Sequence, residues 1–193
     1  MPNADLLRDL AVAGRSLERA ERTRHAAAGA HDPTATPYFV LEDLLGGLDL
    51  SADSHLLDVG CGAGRVLAHF VSAGLPGRAT GVELDPALAA EAAAWSARYP
   101  NVRVVAGSAL DLPLAGFTHV YLFNPFDTPV LTAFLDKLER EAVGPVTLVH
   151  MSDNGEWPAY VGRARWTVLR EGAFDLPGEE GDCPQHFTIR RLG

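Results

Sequence analysis

Residues 56–67 read LLDVGCGAGRVL: a short apolar run ending near Asp58, then Gly60, Gly62 and Gly64 alternating with other residues, then a second apolar run. A strand that ends this way and turns through glycines into a helix forms a ligand cradle at the carboxyl edge of a parallel sheet. The glycines let a ligand approach the bare backbone. In the dinucleotide pattern GxGxxG the sixth place is small, for close helix–strand packing, and here it is Arg65. Asp58 would repel a pyrophosphate but suits an ammonium group. The Walker phosphate loop is opposed as well, because no GK[ST] is present after the glycines. Glu83, in GVELDP, ends the next apolar stretch, where an acid can take both hydroxyls of a ribose. A ligand with an amino-acid end and a ribose, and no phosphate, meets these demands.

Outward from this loop, short apolar strands alternate with amphipathic helices. The pattern predicts strands at 55–59, 79–83, 102–106, 118–123 and 145–151, and helices at 65–73, 86–98 and 129–142. Such alternation indicates a parallel sheet with helices on both faces. Asp85-Pro86 and Thr128-Pro129 each place a capping oxygen before a proline at a helix start. Residues 110–116 read as a turn or loop. Beyond Met151 a short helix is expected at 156–161 and strands at 166–170 and 187–192; two late strands joined directly must be antiparallel. Before the loop, residues 4–28 read as one or two helices, Asp32 to Pro37 as a break, and Tyr38–Leu48 as a helix covering a sheet edge. The division expected is a helical lid over 1–36 and a main domain over 37–193.

The chain has 193 residues, 47% of them hydrophobic, with mean hydropathy +0.03. One core of this size can bury roughly 70% of the unfolded surface. The net charge of −9 removes any general attraction to phosphate backbones and disfavours nucleic acid as a partner. Two cysteines, Cys61 and Cys183, make neither a disulfide framework nor a metal spacing and fit a reducing cytoplasm. Neither a secretory signal nor a membrane span is expected. Arg8, Arg15, Arg19, Arg22 and Arg24 are nearly balanced by Asp5, Asp9, Glu18 and Glu21 and read as a solvated helix face.

The sequence resembles the class I S-adenosylmethionine-dependent methyltransferases, whose fold is α/β, a doubly wound seven-stranded sheet. LLDVGCGAGRVL is similar to their first motif, GVELDP to the second, VVAGSALDLPL (104–114) to the third and YLFNPF (121–126) to the fourth. The resemblance covers about residues 38–192. It implies strand order 3-2-1-4-5-7-6 with the last strand antiparallel, and S-adenosylmethionine as cofactor. It further implies that Gly60, Cys61, Gly62 and Gly64 line the methionine part, that Asp58 organises the loop near its amino group, and that Glu83 binds the ribose. Leu84 would flank the adenine and Ser108 and Ala109 bracket its edge. The family usually has an acid where Ser108 stands; a hydroxyl can also accept.

Methyl transfer from a sulfonium is an in-line displacement, so the protein mainly holds a nucleophile about 3 Å from the methyl and excludes water. Groups placed to orient an acceptor are Asn124, Pro125, Phe126 and Asp127 after strand four, and His150, Ser152, Asp153 and Asn154 after strand five. Asn124-Pro125-Phe126 is similar to the [DN]PP[YF] motif of nitrogen methyltransferases, with one proline missing. His150 suits a general base for a hydroxyl, or is hydrogen-bonded within the sheet edge. Asp127 orients substrate or caps a helix. Tyr38 touches the methionine carboxylate region or packs the lid. His25 and His31 close over the cofactor or face solvent. Cys61 is a nucleophile only if activated, and no histidine adjoins it. Asp175, Glu179, Glu180 and Asp182 would attract a cationic acceptor, or serve solubility.

The expectation is a methyltransferase acting at nitrogen or oxygen of a small molecule or short peptide. The alternatives are a protein or rRNA methyltransferase, a non-catalytic S-adenosylmethionine-binding subunit, and, third, a nicotinamide oxidoreductase.

Overall fold

Strand β1 (His55–Val59) is buried from Leu56 onward because it lies at the centre of a sheet covered on both faces, between β2 (Arg78–Glu83) and β4 (His119–Phe123). A computed structural model describes residues 3–19, 22–151, 157–175 and 184–193. The sheet adds β3 (Val102–Ala106), β5 (Val146–Met151), β6 (Trp166–Phe174) and β7 (Gln185–Leu192) in the order 3-2-1-4-5-7-6. β7 runs antiparallel to both β5 and β6, as the direct connection between the last two strands requires.

Alternate residues of the central strands feed two cores. Leu56, Tyr121 and Val149 pack with α2 (Tyr38–Gly46) and α3 (Arg65–Ser72) on one face, where Trp95 of α4 (Pro86–Ser96) joins them. Leu57, Val120 and Leu148 pack with Leu131, Phe134, Leu135 and Leu138 of α5 (Thr128–Glu141) on the other. Helix α4 starts as its sequence indicates, with Asp85 accepting from the amides of Ala87 and Leu88. In α5 the cap is Asp127, one residue before the expected Thr128, because Thr128 is already helical and Pro129 sits inside the first turn.

Beyond β5 the expected helix at 156–161 is a single 3-10 turn, Trp157–Tyr160, with Glu156 outside the described residues. β6 runs on to Phe174, whose ring meets Phe39 of α2 edge-on at 6.1 Å. Leu41, Leu44 and Leu45 of α2 are fully buried while Phe39 is half-exposed at this sheet margin.

The N-terminal segment departs most from expectation. Helix α1 (Ala4–Ala13) ends at Gly14 in the left-handed region, and the described chain from there to α2 is irregular apart from a 3-10 turn at Ala26–Ala28. One buried charge cluster anchors it. Asp9 of α1 is wholly inaccessible, and its carboxylate accepts from Arg65 Nε (3.2 Å) and Nη2 (2.8 Å), from the Tyr38 hydroxyl (3.0 Å) and from the Leu17 amide (2.9 Å). Arg65 also reaches Glu18 at 2.9 Å. Residues 3–19 are thereby tied to the first turn of α3, directly after the glycine loop.

Removing one partner of a buried ion pair strands the other, at a cost of about 3–5 kcal/mol. Arg65→Ala is expected to lower stability by that order in urea denaturation and to open residues 14–36 to limited proteolysis. Tyr38→Phe, which removes one neutral donor, should cost only about 1–2 kcal/mol.

Candidate active site

Every loop at the carboxyl edge of β1 to β4 opens into one cleft of about 780 Å³, roofed by residues 22–34 of the N-terminal arm. A small cavity of about 40 Å³ lies beneath the glycine loop, walled by Leu17, Thr34, Thr36, Asp58 and Tyr121. Gly60, Arg19 and Phe123 line both spaces, so Gly60 stands at their junction.

The loop is held open by hydrogen bonds to β2. The amides of Gly60 and Cys61 both donate to the Val82 carbonyl, at 2.9 and 3.0 Å. Glu83 accepts from the Gly62 amide on Oε2 and from the Asp85 amide on Oε1, each at 2.8 Å. The glycines serve different ends. A side chain on Gly62 (φ 54°) would meet open space, which leaves its backbone bare to a ligand. A Cβ on Gly60 would fall 2.7 Å from Pro125 Cβ, and one on Gly64 2.9 Å from the Trp95 ring. Gly64 lines neither cavity and permits close packing of α3 on α4 instead. Cys61 fits against Gly81, and burial pushes its thiol well above the usual range, with Asp58 and Glu83 adding to the effect. It is no nucleophile.

Asp58 is only 2% exposed and its Oδ2 has no partner. Burial, with Glu83 adding repulsion, pushes its carboxyl up to about 8. Leu84, Ser108 and Ala109 line the main cleft, and the Ser108 hydroxyl accepts from the Leu110 amide at 3.1 Å.

Three expected site residues lie elsewhere in the described structure. The Tyr38 hydroxyl is occupied by Asp9 and its side chain is fully buried, so it packs the arm. His150 is 1% exposed, bonds the Tyr160 hydroxyl through Nδ1 at 2.9 Å, and is held down to about 3 by burial and by Arg190; it lines neither space, and the sheet-edge alternative describes it. Asp127 caps α5, accepting from the Val130 amide at 3.1 Å. Ser152, Asp153, Asn154, Glu179, Glu180 and Asp182 lie outside the described residues, and Asp175 is exposed.

Asn124 adopts φ 40°, the one positive φ of a non-glycine residue among those described, and its Oδ1 is buried without a partner. Its backbone is met by the arm. The His31 amide donates to the Pro125 carbonyl (3.0 Å), the His31 ring Nδ1 contacts the Asn124 carbonyl (2.9 Å), and the Asp127 amide donates to the Gly29 carbonyl (2.8 Å). The Pro125 carbonyl thus already accepts one hydrogen bond, with its second lone pair open, and Asn124 Oδ1 accepts none.

The arm's arginines are the part that sequence reasoning misplaced, whereas His25 and His31 follow the first of their two readings and lie at the cleft. Arg15, Arg19, Arg22, Arg24, His25 and His31 line the cleft. Arg15 and Arg19 both bond Glu91 of α4, the former at 3.3 Å, and His25 lies 3.8 Å from Asp85. No local motif marks these pairings; only the position of Glu91 and Asp85 on the helix after β2 would have suggested them.

Residues 56–141 match the model of a methyltransferase domain. No curated protein matches the chain. Among solved structures, an RNA methyltransferase from Salinibacter ruber in complex with S-adenosylhomocysteine is 22% identical over 82% of this chain and 92% of that one, with TM-score 0.60. The B. subtilis tRNA methyltransferase TrmK is 10% identical over 83% and 67%, with TM-score 0.65. The mitomycin 7-O-methyltransferase MmcR is 14% identical over 81% and 54%, with TM-score 0.60. At these identities the likeness is one of fold. The chain thus carries a methyltransferase domain over residues 56–141, on a sheet whose fold it shares with solved methyltransferases.

Proposed function

We propose that this methyltransferase acts on a small molecule or short peptide at oxygen or nitrogen. The observation that carries the cofactor's placement is the pair of carboxylates flanking one glycine turn. Asp58 has a buried oxygen without a partner, and Glu83 faces the cleft on the other side. An ammonium group answers the first, and ribose hydroxyls can share the remaining lone pairs of the second. Asp58 would hold the amino group and Arg19, which reaches both spaces, the carboxylate. The backbone of Gly60, Cys61 and Gly62 would line the chain between them, Glu83 would take the ribose, and Leu84, Ser108 and Ala109 would receive the adenine. When bound, S-adenosylmethionine supplies a methyl on a positively charged sulfur, open to in-line attack. The protein's own part is to hold both ends, exclude water and present the acceptor.

Acceptor size is constrained by the roof. A cleft within the roughly 300–1,000 Å³ of small-molecule sites, covered by the chain's own arm, favours an acceptor that fits beneath it. A second reading, an RNA acceptor, is favoured by the RNA and tRNA methyltransferases among the similar folds. The cationic preference expected from the acidic loop rests mainly on residues outside the described ones.

S-adenosylhomocysteine at about 100 times its dissociation constant should stabilise the protein by ~2.7 kcal/mol, which for this size is roughly 5–11 °C. NAD and NADP should give no shift, and Glu83→Ala should weaken binding roughly tenfold or more. A shift with NAD alone would overturn the reading.

Asp58 adds a proton signature. Its folded pKa of about 8 exceeds the ordinary 3.8. Between these values the native state binds more protons than the unfolded chain, so the ligand-free protein loses stability as pH rises through that window. Asp58→Asn is expected to remove this slope in urea denaturation across pH 5 to 8. An ammonium at Asp58 favours the ionised form, so S-adenosylhomocysteine binding near pH 7 should release a proton. Calorimetry in buffers of different ionisation enthalpy would show it, and the variant should not.

A further inference from the structure

We propose that His31, on the N-terminal arm, is the general base of methyl transfer and that the acceptor atom is a hydroxyl oxygen. The assignment rests on the reading of the cleft as a methyl-transfer site. His31 lies at the right place within it. A ligand spanning from Asp58 in the small cavity to Glu83 in the main cleft crosses their junction at Gly60, which packs against Pro125. His31 is bonded to Asn124 and Pro125, at that junction's edge.

Its ring is also fixed in the right form. A carbonyl oxygen can only accept, so the 2.9 Å contact with the Asn124 carbonyl requires the proton on Nδ1. Nε2 then carries the free lone pair, and the ring lines the cleft and is accessible to solvent. A hydrogen bond on one ring nitrogen that sets the tautomer of the other is how a histidine is prepared as a base. Asn124 presents its carbonyl there from a left-handed backbone (φ 40°), a conformation that asparagine tolerates better than other non-glycine residues. The antiparallel bridge of Ala30 to Phe126, made by the His31 amide on the Pro125 carbonyl and the Asp127 amide on the Gly29 carbonyl, fixes the backbone that leads into His31. Neither other candidate has this arrangement: His150 is sealed in the sheet, and His25 faces Asp85 across the ribose side.

In the step, the acceptor oxygen forms its bond to the methyl carbon as the carbon–sulfur bond breaks and its electron pair stays on sulfur. The hydroxyl proton passes to Nε2, giving an imidazolium whose Nδ1–H remains on Asn124. The exposed ring then returns the proton to water.

The test uses the full chain, S-adenosylmethionine and a panel of phenols of graded acidity. His31→Asn keeps a donor for the Asn124 carbonyl and should leave S-adenosylhomocysteine affinity within about twofold. On phenols un-ionised at neutral pH, kcat should fall about 10²–10⁴-fold, the usual worth of a general base, with KM moving far less. On a nitrophenol, ionised without help, the loss should be under about tenfold. Nitrogen-15 NMR of the ligand-free protein should show His31 protonated at Nδ1. An equal loss across the panel, the Nε2–H tautomer, or a wild type that binds S-adenosylhomocysteine yet methylates amines only, RNA only, or no phenol would each overturn the assignment. Failure of the wild type to bind S-adenosylhomocysteine would instead remove the cofactor reading beneath it.

Discussion

The buried carboxylate of Asp9 is the point on which the arm, and with it the cleft, depends. A charge taken out of water is favourable only when every lone pair finds a donor. Here four donors converge, from Arg65 twice, Tyr38 and the Leu17 backbone. They come from α3, α2 and the arm, so the cluster closes only when all three are in place. Arg65 is the residue that makes the loop a poor dinucleotide site. The same side chain lets the arm fold back over the glycine turn.

Two carboxylates of the same chemical kind behave differently on either side of that turn. Glu83 is satisfied before any ligand arrives, by the amides of Gly62 and Asp85. It therefore acts as scaffold, holding the loop in the shape it presents. Asp58 is buried without a full set of partners and resists ionisation. The protein thus bears a local destabilisation that a cationic group relieves.

The sheet was legible because each strand and helix announces itself locally. The strand at His55–Val59, the glycine turn and the Asp85-Pro86 start are read within windows of about ten residues, and their order fixes the topology. The late antiparallel pair was legible from the lack of a helix between two apolar runs. Contacts between distant residues stayed illegible. Asp9 meets Arg65 across 56 positions, and His31 meets Asn124 across 93. No periodicity encodes these. His150 shows the complementary failure: the carboxyl end of a strand suggested chemistry, but β7 and Tyr160 cover it. Arginines spaced as on a helix suggested a solvated face, whereas Gly14 ends the helix and turns them toward the cleft.

The arm also changes what the Asn124-Pro125-Phe126 motif is for. In isolation, an asparagine and a proline carbonyl at the end of the fourth strand form a receptor for N–H groups. In this chain the Pro125 carbonyl receives the His31 amide and the Asn124 backbone carbonyl its ring, while the side-chain Oδ1 of Asn124 is buried without a partner. The motif has become a dock for the chain's own histidine, and Gly60 can approach Pro125 because it lacks a Cβ. The parallel sheet contributes position, and the irregular arm contributes the functional group. The sheet alone leaves the acceptor open, since folds similar over four-fifths of the chain belong to an RNA, a tRNA and a mitomycin methyltransferase.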